Sequence, residues 1–131
     1  MNLGSLAQRA GDSESARRHY EYVLVRSPEH SGALNNLALL LLEQPGEKAI
    51  ERAKELLARA IAADPSRADA RKNLAMLVFA SGNPAEAQRL LRRALELTPE
   101  DRLAWEALAE VSRALGGSVG ASLALERAAA L

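Results

Sequence analysis

Residues 74–99 read LAMLVFASGNPAEAQRLLRRALELTP, and this stretch decides the fold. It begins with Leu74, breaks at Gly82, resumes at Ala87 and stops at Pro99. Proline lacks the N–H that a continuing helix requires, and glycine adopts left-handed backbone without a steric penalty, so both residue types mark turns. The stretch therefore predicts two helices joined by a tight turn.

The same pattern recurs along the whole chain about every 34 residues. Leucine, alanine and proline positions each return at spacings of 34 or 37 residues: Leu3, Leu37, Leu74 and Leu108; Ala16, Ala53, Ala87 and Ala121; Pro28, Pro65 and Pro99. A period of this length indicates modules that bury their apolar faces only by stacking on neighbours. Stacked modules present an extended concave surface, which favours a protein-binding scaffold over a catalyst.

These positions resemble the tetratricopeptide repeat, whose pattern is W-x2-L-G-x2-Y, then A-x3-F, then P. The last unit carries Trp105, Leu108 and Ala109, followed by Ala121 and Leu125. The resemblance implies an all-α fold, a right-handed α-solenoid of four stacked helix-turn-helix repeats with the first repeat truncated. It implies a single domain over residues 1–131, with repeats at about 1–30, 31–67, 68–101 and 102–131.

Turn residues and caps predict eight helices. Asn83 is a good N-cap before Pro84, and Gly11, Gly82 and Gly116 fall between paired helices. The predicted helices cover residues 2–10, 13–26, 31–43, 47–62, 67–81, 84–97, 101–115 and 118–130. The three extra residues of the 37-residue spacing lie between Leu37 and Ala53. Either the second helix of the second repeat, which contains Ala53, starts about a turn early, or its entry loop is longer.

Small residues at fixed repeat positions predict close helix packing. They are Ala38, Ala53, Ala60, Ala75, Ala87, Ala94, Ala109 and Ala121. Larger leucines beside them, such as Leu57 and Leu91, are expected to fill the remaining space. A bulky residue at Ala53 or Ala87 would overpack the paired helices.

The amino-acid composition limits the classes of partner that we expect for this chain. Hydrophobic residues make up 48% of the chain, aromatic residues only 3%, and the formal net charge is zero. No long-range field attracts nucleic acid or an anionic membrane, so we expect neither partner. No apolar run is long enough to insert into a membrane, and there is no basic-then-apolar leader. We favour a cytoplasmic location, with the periplasm open if a leader was removed.

The resemblance implies that the first helix of each repeat lines a concave groove. On that basis we expect the peptide-binding residues to be Asn36, Leu39, Leu42, Asp69, Lys72, Asn73, Met76, Phe79, Glu106, Glu110 and Arg113. The same pattern places Asn35 and Leu103 on the groove.

Asparagine recurs at one groove position as Asn2, Asn36 and Asn73, and the series is broken at Ala107. An amide side chain both donates and accepts hydrogen bonds, so such a ladder can pair with an extended peptide backbone of any sequence. The alternative is that these side chains cap or bridge neighbouring helices.

A second groove feature is apolar, formed by Leu39, Leu42, Met76 and Phe79. Other residues already fill the core positions, so these four predict an exposed strip, and soluble proteins seldom leave such a strip unused. The alternatives are that a neighbouring helix buries one or two of them, or that a second copy or the chain's own end fills the groove.

The sequence does not fit three other kinds of site, namely a carboxylate clamp, a serine-esterase site and a thiolate metal site. The carboxylate clamp found on some tetratricopeptide proteins needs lysines and an arginine where this chain has residues such as Asp69 and Ala107. Residues 116–120 match G-x-S-x-G, but that motif needs a strand-to-helix elbow and a later histidine, and both histidines come earlier. Cysteine is absent, which excludes thiolate metal sites. We expect no enzyme activity, no cofactor and no metal site.

Two functions stay open. The first is a scaffold that binds a peptide or helix of another protein in the concave groove. The second is a self-assembling scaffold, a homo-oligomer joined through the groove or the terminal helices, because residues 118–131 are rich in leucine and alanine with little charge. The chain is also expected to be a fragment of a longer array or to associate through its ends.

Overall fold

The computed structural model describes the backbone of residues 3–44 and 46–131, and the side chains of residues 12–44 and 46–131. Within those residues it consists of seven helices and no strand. The helices are α1 (Leu3–Arg26), α2 (Ser31–Leu41), α3 (Glu47–Ala63), α4 (Ala68–Ala80), α5 (Pro84–Leu97), α6 (Arg102–Ala114) and α7 (Ser118–Ala129). The all-α prediction is confirmed.

The first predicted turn is wrong, because α1 runs without a break through Gly11. Predicted helices 2–10 and 13–26 are therefore one helix of 24 residues. A glycine inside a helix costs only about 1 kcal/mol relative to alanine, which does not by itself end the helix. No proline follows Gly11, so each of the next residues can still donate its backbone N–H to the helix.

The turn at Gly82 is confirmed, and there the neighbouring residues do end the helix. Gly82 has a φ of +91°, the left-handed region that favours glycine. The Asn83 side chain accepts a hydrogen bond from the backbone N–H of Glu86 at 3.2 Å, and Pro84 opens α5. Gly116 (φ +82°) makes the corresponding turn between α6 and α7.

The helices form two compact units, Met1–Ala63 and Asp64–Leu131. In the first, α2 packs against both α1 and α3. In the second, α4 packs against α5, α5 against α6 and α6 against α7, while α4 also approaches α6. The single domain with four repeat boundaries stays a prediction, although the first repeat does not have the helix-turn-helix form expected of it.

The small positions lie in the core, as the repeat pattern predicts. Ala38, Ala53, Ala60, Ala75, Ala87, Ala94, Ala109 and Ala121 are at most 3% exposed. Fully buried leucines accompany them in each unit, namely Leu34 and Leu57 in the first and Leu91 in the second. Burial of a leucine side chain contributes about 1.5–3 kcal/mol, so these rows of alanine and leucine hold each unit together.

Both explanations of the 37-residue spacing are correct. α3 begins at Glu47, six residues before Ala53, whereas α5 begins at Pro84, three residues before Ala87. The early start is thus about one turn of helix. The connection from α2 to α3 covers residues 42–46, against 81–83 between α4 and α5. Ala53, Leu57 and Ala60 stay buried, so the core register is unchanged.

Candidate functional site

The second unit has an open recess between α4 and α6, which we call the front recess. It has a volume of about 360 Å³ and is lined by Lys72, Asn73, Met76, Leu103, Glu106, Ala107 and Glu110. Residues three and four apart share one face of a helix, which explains why Lys72 and Met76 on α4 lie together, as do Glu106 and Glu110 on α6. Five of the eleven predicted peptide-binding residues line this recess: Lys72, Asn73, Met76, Glu106 and Glu110.

An ion pair connects the two walls of the front recess. The Lys72 ammonium donates a hydrogen bond to Asp101 Oδ2 at 2.8 Å. Asp101 is also the N-cap of α6, where its other carboxylate oxygen accepts from the backbone N–H of Ala104 at 3.2 Å. Burial raises the pKa of Asp101, but the hydrogen bonds from Lys72 and Ala104 lower it by more, so the net pKa lies below its usual value.

The surface of the front recess is part apolar and part acidic. Leu103 is 65% exposed and Met76 is 39% exposed, although both are large apolar side chains. Glu106 and Glu110 are exposed, and neither forms an ion pair with any residue for which side chains are described. The recess therefore offers hydrophobic contact beside two carboxylates that face solvent.

The other predicted residues lie elsewhere. Asn36 and Leu39 are exposed on α2 in the first unit, and Leu42, at the end of that helix, is half-buried. In the second unit, Asp69 lies in the first turn of α4 and pairs with Arg67 at 3.2 Å. Phe79 is half-buried and Arg113 is exposed, and neither lines the front recess.

The asparagine ladder is only partly described. Asn2 lies outside the described residues, Asn36 is exposed and Asn73 is half-buried at the front recess. The expectation for Asn35 is wrong: it is 2% exposed, so it belongs to the interior of the first unit. Buried amides need partners, and no buried side-chain nitrogen or oxygen in the described part lacks a hydrogen bond.

A second recess, which we call the back recess, was not predicted. It has a volume of about 390 Å³ between α5, α6 and α7, and it is lined by Arg92, Trp105, Leu108, Ser112, Gly120, Leu123, Ala124, Glu126 and Arg127. The Trp105 indole N–H donates to the carbonyl oxygen of Pro99 at 2.8 Å. The sequence signal for this recess is the small pair Gly120 and Ala124 at i and i+4 on α7, which leaves room beside Trp105.

The described residues contain no group of three or more histidine, cysteine, aspartate or glutamate side chains that could hold a metal ion. His19 is exposed, whereas His30 caps α2, because its Nδ1 accepts a hydrogen bond from the backbone N–H of Ala33 at 3.0 Å. Residues 116–120 form the turn and first residues of α7, so the G-x-S-x-G match does not sit on a strand-to-helix elbow. In the part of the chain that is described, no helix combines the length and hydropathy needed to cross a membrane.

Family comparison agrees with the repeat positions. One tetratricopeptide repeat model matches residues 46–111, about half of the chain, and a second matches residues 1–49. This chain belongs to the tetratricopeptide repeat family. Tetratricopeptide repeat protein 7B of Homo sapiens is 33% identical to it over 94 residues, a match that covers 72% of this chain and 11% of that protein.

Solved structures share the tetratricopeptide fold. MamA (residues 41 to the end) from Desulfovibrio magneticus RS-1 superposes with a TM-score of 0.77 at 21% identity, over 98% of this chain and 71% of that one. The second tetratricopeptide domain of Spaghetti (RPAP3), bound to the HSP90 peptide SRMEEVD, gives 0.72 at 23% identity, over 81% and 95%. An O-GlcNAc transferase mutant from Thermobaculum terrenum gives 0.69 at 35% identity, over 82% of this chain but only 20% of the transferase.

Proposed function

We propose that this tetratricopeptide chain is a protein-interaction module whose front recess binds a segment of another protein. One observation carries the proposal: Met76 and Leu103 are exposed in the same recess as Asn73. Exposed apolar side chains gathered in a concavity gain free energy when a partner covers them. An amide beside them can hydrogen-bond to the partner's backbone.

Family membership supports the same reading, because stacked helical repeats are built around extended binding surfaces. The small share of the longer proteins that this chain matches also supports the proposal. This chain spans 11% of the human relative and 20% of the transferase. A fold that recurs as a small part of proteins with different additional regions suits a recognition module, and any catalytic role would belong to those other regions.

The test is a selection of peptides on the whole chain from a random display library, followed by affinity measurements on variants. Met76→Ser and Leu103→Ser should each weaken the selected peptides by roughly fivefold or more, on the order of 1 kcal/mol. Leu115→Ser and Val119→Ser are matched controls, since these residues are 42% and 73% exposed and lie outside the front recess. Equal losses in the controls, or none in the recess variants, would refute the proposal.

A second candidate is self-assembly through α7. Val119 and Leu123 lie four residues apart on one face of this helix and are 73% and 57% exposed. Val119→Glu with Leu123→Glu should then reduce the mass measured by sedimentation, whereas Val25→Glu, at a residue 81% exposed on α1, should not. A monomeric parent protein at high concentration would remove this candidate and leave the first one intact.

A further inference from the structure

The front recess carries more negative than positive charge, and this excess indicates the charge of its partner. Among the described residues that line it, Lys72 is the only cation, and it is already paired with Asp101 at 2.8 Å. That pair leaves Glu106 and Glu110 as the remaining charged groups of the lining. The open surface of the recess is therefore acidic, although the net charge of the chain is zero.

Nearby cations do not neutralise these two glutamates. On α4, Arg67 pairs with Asp69, and the Arg71 guanidinium donates to the carbonyl oxygen of Pro65. On α6, Arg102 precedes Glu106 by four residues, but its guanidinium donates to the carbonyl oxygen of Ala128. Arg113 follows Glu110 by three residues. Neither arginine lines the recess or forms an ion pair within the described part of the chain. On α5, Arg92 lines the back recess instead.

The spacing of the two carboxylates matches an extended peptide. Residues four apart on a helix are separated by about 6 Å along its axis, from a rise of about 1.5 Å per residue. Alternate residues of an extended chain lie about 6.6 Å apart and point to the same side. Leu103 precedes Glu106 by about one turn on the same face of α6, so it extends the row at one end.

We propose that the front recess recognises an extended, cationic segment of a partner protein, with the pattern apolar-x-basic-x-basic in either chain direction. The apolar side chain covers Leu103 and Met76, and two lysines or arginines on the same side meet Glu106 and Glu110. This inference rests on the proposed function and adds the chemistry of the partner to it. An acid-rich segment, such as the SRMEEVD peptide held by the Spaghetti domain, would meet carboxylates of its own sign.

Three short synthetic peptides test the pattern on the whole, isotope-labelled chain by NMR titration. They are GLAKAKAG, its acidic counterpart GLAEAEAG, and GLAKKAAG, in which the two lysines are adjacent and so point to opposite sides. The first should bind most tightly, by roughly five- to tenfold over the second at low salt, with the advantage shrinking as salt is added. The shifted resonances should lie in residues 72–76 and 103–110.

A charge-reversal variant decides which groups are responsible. Glu106→Lys with Glu110→Lys should invert the preference, so that GLAEAEAG binds more tightly than GLAKAKAG. Glu29→Lys with Glu55→Lys is the matched control, because it changes the net charge equally at exposed residues of the first unit. The control should keep the original order of affinities, since Glu29, in the turn between α1 and α2, and Glu55, on α3, do not line the front recess.

The outcomes separate this inference from the function on which it rests. If all three peptides bind equally and Met76→Ser weakens each of them, the recess is a binding site and the cationic pattern is wrong. If no peptide shifts the residues of the recess, the cationic pattern is wrong, and the peptide selection described above then decides the proposed function. If Glu106→Lys with Glu110→Lys alters the sedimentation mass of the peptide-free chain, a second copy is the occupant and the cationic partner is overturned.

Discussion

The front and back recesses of the second unit have similar sizes and different chemistry. The front recess measures about 360 Å³ and the back recess about 390 Å³, so volume does not distinguish them. The back recess holds both signs of charge, in Arg92, Arg127 and Glu126. In the front recess the pair with Asp101 neutralises Lys72, which leaves two carboxylates as the remaining charges among the described lining residues. An ion pair in the wall of a recess can thus determine the charge that a binding partner meets there.

The largest expected effect is on the stability of the second unit, which contains both recesses. Ala87 is fully buried on α5, so Ala87→Leu should overpack the second unit and lower its unfolding free energy by about 1–3 kcal/mol. Ala85→Leu is the control, because Ala85 is exposed on the same helix. Urea unfolding of both variants measures the difference. Unchanged stability in Ala87→Leu would contradict the packing described for this helix.

The next largest expected effect is a loss of stability from substitution of Asp101, the partner of Lys72 in the front recess. Asp101→Ala removes both the cap of α6 and the partner of Lys72, and we expect it to cost about 1–2 kcal/mol. Asp101→Asn can keep the cap while losing the ion pair, which should cost about 0.2–1 kcal/mol. Chemical denaturation of the two variants separates the contributions. A loss as large in the asparagine variant would mean that the cap contributes nothing.

A smaller loss of stability is expected from a substitution in the back recess. Trp105→Phe removes the hydrogen bond from the indole N–H to Pro99, and a lost hydrogen bond of this kind should cost about 0.5–1.5 kcal/mol. Peptides bound at the front recess should keep their affinity, because Trp105 does not line it. Weaker peptide binding without loss of stability would place the binding site on the other side of α6.

The smallest effect is a dependence of stability on pH. The pKa of Asp101 is depressed, so its contribution is present above the unfolded-state pKa of about 3.9 and is lost as the pH falls through the lower, folded-state value. Asp101→Asn should therefore flatten the acid limb of a stability–pH curve without removing it, because the pKa of Asp64 is also lowered, chiefly by hydrogen bonds from Ser66. An identical acid limb would show that the pair with Lys72 contributes no pH-dependent stability.

Two glycines show how far local sequence predicts this fold. Gly82 is followed by Asn83 and Pro84, which cap the next helix and deny the previous one a donor, so its turn was predictable. Gly11 occupies the equivalent repeat position with neither a proline nor a second glycine after it, and α1 continues through it, whereas Gly116, followed by Gly117, lies in a turn after α6. Repeat spacing alone could not reveal that difference, because it records residue type and not the hydrogen bonds of the neighbours.

The front recess was predictable in part for a similar reason. Helical periodicity places Lys72, Met76, Glu106 and Glu110 on the faces that the structure brings together. It could not anticipate that Lys72 would pair with Asp101, a residue 29 positions later whose role as a cap is local to α6. The family resemblance also implied that Asn35 lies on the groove, although the packing of α2 buries it.

The long connection between α2 and α3 has a practical consequence. Because α3 starts six residues before Ala53, the burial of Ala53 and Leu57 is set within the helix and not by the length of the connection that precedes it. Lengthening a surface loop is inexpensive, about 0.6 kcal/mol for each doubling. An epitope or a reporter sequence grafted between Glu43 and Gln44, which are both exposed, should thus be carried by the folded protein and offers a handle for capturing its partners.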